Sequence, residues 1–204
     1  MHIEFLVEEP SIEAALHNLL PKILGSRISY AIRVFQGKQD LLKNLPARLR
    51  GYKKWIPENY RIVVLVDRDR DDCYRLKRTL EQIALESQLI TKSSVAPLET
   101  FQVLNRIVIE ELESWFFGDP NALKAAYPAI TNRSVKKPKY SIPDNIPYPW
   151  EKLESILKRY HYYPEGMPKI EVAQNISSHM IPQRNTSHSF RMFFEGLRLC
   201  FQHH

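Results

Sequence analysis

Three short acidic clusters hold the residues best suited to chemistry. The sharpest is Asp67-Arg68-Asp69, directly after the apolar run Ile62 to Val66. A run of that kind reads as a buried strand, and ligands of open parallel sheets gather beyond the carboxyl ends of the strands. On an extended backbone, residues two apart point the same way, so Asp67 and Asp69 are expected to share a divalent cation. Mg²⁺ is satisfied by one or two carboxylates, with waters and substrate phosphates completing its shell. The second cluster, Val7-Glu8-Glu9-Pro10-Ser11, ends a first strand. If that strand neighbours the Asp67 strand, Glu8 comes within reach of the same ion or its water. The third, Ile109-Glu110-Glu111-Leu112-Glu113-Ser114-Trp115, lies at another strand-to-helix junction. Each cluster also has a plain structural explanation, because Asp and Ser cap helices and glutamates in a first turn complement the helix dipole. Three of them at three strand ends are harder to dismiss. Like charges gathered together repel unless a cation neutralises them, so convergence implies a metal.

The elements that must position these residues alternate in type. Residues 3–7 read as a strand, and Ser11 opens a helical segment with Ile12, Ala15, Leu16, Leu19 and Leu20 on one face. Tyr30–Phe35 is a second strand, and Lys38–Trp55 a helix that Pro46 should kink or interrupt. A strand at Arg61–Val66 precedes a helix through Leu85, capped by Asp71 or Asp72. Phe101–Ile109 is a further strand running into Glu110–Phe117. Alternation of this kind argues for an α/β fold with a mostly parallel sheet and helices on both faces. Residues 1–127 form this core. Residues 128–204 begin with a Pro-rich excursion over 128–149 and continue with helices at Trp150–Tyr160, Ile170–Met180 and Phe190–Phe201, packed on the core as one domain. His203 and His204 carry no weight in this reading.

Composition excludes several classes. No stretch approaches the roughly 18 apolar residues of a membrane span, and the acidic start is unlike a signal peptide, so a cytoplasmic protein is expected. Six glycines are spaced so that neither GxGxxG nor a GxxxxGK[ST] phosphate cradle can be written. Cys73 and Cys200 are read as free thiols. The net charge of +6 makes a polyanionic partner plausible. On an ideal helix Lys43, Arg50 and Lys54 lie opposite Leu41, Leu45 and Tyr52, a stripe able to track phosphates or merely to be solvated. Arg133, Lys136, Lys137 and Lys139 in the excursion are the second basic group.

A glutamate after strand one followed by Asp-x-Asp after a later strand resembles the Toprim domain of topoisomerases, primases and nucleases of the overcoming-lysogenization-defect type. The wider text resembles a bacterial domain-of-unknown-function family (number 4276) regarded as Toprim-like. Phe5–Ser11, Phe35–Leu42, Val64–Cys73, Arg106–Asp119 and Asn185–Phe190 carry that likeness. The resemblance implies Glu8 as the Toprim glutamate, Asp67 and Asp69 as metal ligands, Glu111 and Glu113 as a further acidic pair, and Lys169 near the phosphate. Glu9 departs from the glycine that many Toprim sequences carry there. The implied activity is Mg²⁺- or Mn²⁺-dependent phosphodiester cleavage of nucleic acid, DNA in preference to RNA, with a separate ATPase subunit in a phage-defence module. The competing expectation is a Toprim-like effector that binds nucleic acid or a partner without cutting. A haloacid-dehalogenase-type phosphatase is disfavoured, since its DxD follows the first strand.

Overall fold

The computed structural model describes residues 1–96 and 99–201; His203 and His204 lie outside them. Strand β3 (Tyr60–Asp67) shows why the apolar run is continuous. Ile62, Val64 and Val66 enter one core and Val63 and Leu65 the other, so both faces of the strand are buried. It pairs in parallel with β1 (His2–Val7) on one side and β4 (Val103–Val108) on the other, and β2 (Ser29–Val34) pairs in parallel with β1. The order is β2-β1-β3-β4, a four-stranded all-parallel sheet in an α/β fold.

One face is covered by α2 (Lys38–Lys53) and α3 (Cys73–Glu86) through Leu41, Leu45, Leu49, Leu76 and Leu80. The larger core on the other face gathers α1 (Pro10–Leu24), α4 (Glu113–Phe117), α5 (Pro120–Ala126), α7 (Pro149–Arg159), α8 (Lys169–His179) and α9 (His188–Phe201). A short α6 (Asn132–Val135) lies in the Pro-rich excursion, which is otherwise irregular apart from two single turns. No helix among the described residues is long and apolar enough to cross a membrane.

Local details refine the sequence reading. Helix α2 is not interrupted at Pro46: its buried stripe Leu41, Leu45, Leu49 and Tyr52 holds the helix despite the lost amide. Ser11 does not cap α1: Glu9 is the N-cap, Pro10 takes the first helical position, and Ser11 donates its hydroxyl to the Glu9 carboxylate. Helix α5 was not anticipated, although Asp119-Pro120 is an N-cap followed by proline at N1, and the Asp119 carboxylate accepts the Ala122 amide. Of the two proposed caps for α3, Asp72 serves, accepting the Arg75 amide at 2.7 Å.

Candidate metal centre at the strand ends

In the order β2-β1-β3-β4 the chain leaves β1 toward one edge and returns to its other side, so β1 and β3 flank the switch point of the sheet. Open α/β sheets bind ligands at the carboxyl ends of such a pair. Glu8 directly follows β1 and Asp67 ends β3. Glu8 is 8% exposed and its Oε2 accepts the Asp67 amide at 3.0 Å. Asp67 is 6% exposed; its Oδ2 accepts the Leu112 amide at 3.4 Å, while its Oδ1 is buried with no hydrogen-bond partner. Burial first, and then the charges of Glu8, Glu9, Glu113 and Asp69, hold the Asp67 carboxyl well above its usual range. Burial also raises Glu8, against the Asp67 amide and Lys38.

The expectation that Asp69 faces the same point as Asp67 rested on extended backbone, and β3 ends at Asp67. Asp69 adopts φ +50° and its amide donates to Glu110 O at 2.8 Å. Its carboxylate meets Lys38 instead: the ammonium lies 2.6 Å from Asp69 Oδ2 and 2.8 Å from Asp71 Oδ2, and it also donates to Arg68 O. Lys38 is the first residue of α2, placed by Gly37, whose φ of +94° favours glycine and whose amide donates to Glu8 O. The sequence reading gave Lys38 no role of its own beyond the start of a helix. The Gly-Lys step at a helix start was the available signal.

The third cluster also reaches the site. Glu110 turns with φ +61° and pairs with Arg68. Glu111 accepts the Trp150 amide at 3.0 Å, tying the end of the Pro-rich excursion to the strand ends, and burial raises its carboxyl. Glu113 begins α4 with 4% exposure, and burial pushes its carboxyl to about 8. Lys169, the first residue of α8, supplies the opposing charge. It stands 3.6 Å from Glu9 Oε2 and 4.9 Å above the Trp150 ring. Burial would lower its ammonium, but Glu9, Glu113, Asp67 and Glu111 together raise it. Glu9 itself has φ −145°, ordinary extended backbone that needs no glycine.

Glu8, Asp67, Glu113 and Lys169 are thus brought together, Glu111 borders them, and Asp69 is ion-paired away. No group of three His, Cys, Asp or Glu side chains among the described residues is placed to hold a metal. Lys43, Arg50 and Lys54 are exposed along and just beyond α2, opposite its buried stripe. Arg133, Lys136 and Lys139 are exposed and Lys137 half-buried, with Lys139 against the Tyr140 ring. The Asn185–Phe190 stretch is architectural. Asn185 donates to Trp115 O, and Asp144 accepts from the Ser187 hydroxyl and the Ser189 amide, both at 2.6 Å, at the start of α9.

No curated protein and no solved structure matches the chain. The family model described as Domain of unknown function (DUF4276) matches residues 7–198, a span that includes every strand-end acid and both lysines, and the chain belongs to that family.

Proposed function

We propose that the protein is a Toprim-like, metal-dependent phosphodiester-cleaving domain acting on nucleic acid, DNA in preference to RNA, and working with a separate ATPase subunit in a phage-defence module. The observation that carries the reading is the buried Asp67 carboxylate, one oxygen unclaimed, beside Glu8 at the switch point of the sheet. The donors are all carboxylate oxygens, which suit a hard cation, and Mg²⁺ or Mn²⁺ needs no more than one or two of them. Asp67 and Glu8 would hold it. When bound, the ion supplies charge that polarises the phosphate and makes water nucleophilic. Glu8, just beyond β1, would offer a carboxylate oxygen able to hold a proton beside the phosphate. Lys169, among the acids, steadies negative charge developing on the phosphate. The partner and the defence setting rest on the resemblance to Toprim nucleases.

The second reading, a non-catalytic effector binding nucleic acid or a protein partner, is favoured by one observation. Lys38 and Lys169 already neutralise much of the acidic set, Asp69 above all. Cleavage assays separate the two. The full chain, alone and with any ATPase encoded beside it, is incubated with labelled single- and double-stranded DNA and RNA in Mg²⁺, in Mn²⁺ and in chelator. Asp67→Asn and Glu8→Gln are expected to lower cleavage by orders of magnitude while nucleic-acid binding persists. Cleavage surviving both substitutions, or none by the wild-type chain under either metal, rejects the nuclease reading.

A further inference from the structure

Beside the strand ends stands an aromatic residue whose conformation packing does not explain. Tyr148 caps α7 with φ +52° and ψ +59°, the left-handed region, and precedes Pro149, a position that favours extended backbone. A bulky L-residue is strained there, and Tyr148 remains 51% exposed, so burial does not account for it. Strain of this kind in a half-exposed residue is motive to look for a function. Its surroundings supply one. The Arg70 guanidinium, from the loop that follows Asp69, lies 5.3 Å from the centre of the Tyr148 ring. Two residues on, the Trp150 amide donates to Glu111, and Lys169 stands over the Trp150 ring. The rim of the site is therefore a run of alternating aromatic and basic groups, Tyr148 with Arg70 and Trp150 with Lys169, beginning beside the proposed phosphodiester centre.

We propose that this rim binds single-stranded nucleic acid, with an unstacked base on Tyr148 and the adjoining phosphates on Arg70 and Lys169. The inference rests on the phosphodiester reading and names its substrate class. Aromatic faces accept any unpaired base, whereas in a duplex the bases stack on each other and offer no free face to an exposed ring. Arg70 serves twice: it stacks on the ring and it neutralises phosphate. Tyr148 has one further property as a probe. Its backbone conformation is the one glycine adopts without strain, so Tyr148→Gly removes the ring while favouring the native backbone.

Fluorescence anisotropy with labelled dT15, rU15 and a 15-base-pair DNA duplex, all in chelator so that nothing is cleaved, tests the proposal. Wild-type protein is expected to bind dT15 more tightly than the duplex. Tyr148→Ala and Tyr148→Gly should weaken dT15 binding by about tenfold, in line with the loss of one stacked base. Tyr148→Phe should restore it, and duplex binding should stay unchanged in all three. An equal effect on rU15 assigns the site to either nucleic acid, and a smaller one assigns it to DNA. Undiminished dT15 binding by Tyr148→Gly with a melting temperature near that of wild type overturns the proposal, as does tighter binding of the duplex by the wild type. Because no metal is present, loss of cleavage in the Asp67→Asn experiment and loss of stacking here are read independently. Strand binding without turnover overturns the nuclease reading alone.

Discussion

Glu113 makes the metal-free protein less stable as the pH rises. Its carboxyl moves from 4.5 to about 8 on folding because it is buried at the start of α4, so between these values the folded state holds a proton that the unfolded state has released. A group raised in this way contributes stability that is complete below about pH 4.5 and lost as the pH rises through about 8. At about 1.36 kcal/mol for each pKa unit, the loss is about 1 kcal/mol at pH 5, about 3 at pH 7 and about 4 at pH 8. Glu113→Gln keeps the shape and an acceptor but removes the titration. Urea unfolding of both proteins in chelator from pH 5 to pH 8 measures the difference directly. The variant should gain on the wild type by about 3 kcal/mol across that range, whatever constant offset the amide introduces. A gap that stays flat, or that narrows toward pH 8, would refute the assignment of Glu113 as a carboxyl kept protonated by burial.

Lys38→Met should free Asp69 and Asp71 and tighten Mg²⁺ or Mn²⁺ binding in titration calorimetry; unchanged affinity would show that Lys38 does not occupy a cation's place. Gly118→Ala puts a Cβ 2.0 Å from Asn185 Oδ1 and 2.9 Å from the Ser187 amide. Breaking the Asn185 bond to Trp115 O should cost about 1–3 kcal/mol in chemical denaturation. Replacing Lys43, Arg50 and Lys54 with Gln should flatten the salt dependence of duplex DNA binding by up to about one unit of slope for each phosphate that is no longer neutralised. An unchanged slope marks the stripe as a solvated face.

What could be read from the chain followed burial. Strands β1, β3 and β4 and helices α1, α2, α3, α7, α8 and α9 announce themselves because those strands are covered on both faces and each helix buries one stripe, while edge strand β2 is legible from its half-buried Tyr30, Ile32 and Val34. Helix α5 did not, since a seven-residue segment with only Ala122 and Leu123 buried shows no period. At the site, Glu8 and Asp67 were legible as ends of apolar strands, and their adjacency follows from a parallel pairing of β1 with β3 that local pattern cannot specify. Asp69 was misplaced for a local reason. The alternation rule holds only while the backbone stays extended, and here the turn begins one residue after Asp67. Tyr148 and Lys38 escaped notice because their importance lies in what they touch across the fold, at Arg70 and at Asp69.

The placement of the two lysines bears on how an acidic site can meet an anionic substrate. Lys38 and Lys169 are each the first residue of a helix, α2 and α8, which pack on opposite faces of the sheet. A cation there opposes the helix dipole, at a cost of about 0.3–1 kcal/mol. The carboxylates offset that cost: Asp69 and Asp71 at Lys38, and Glu9 at Lys169. Glu113 and Asp67 are pushed toward their neutral forms by burial, which further reduces the negative charge at the strand ends. A phosphate arriving over β1 and β3 would therefore meet two ammonium groups, with much of the acidic field already cancelled. The same arrangement keeps the acids gathered when no divalent ion is bound, so their convergence does not by itself require a metal. On the proposed metal-dependent reading, an ion held by Asp67 would compete with protons for a carboxyl that burial raises, so its affinity is expected to rise with pH.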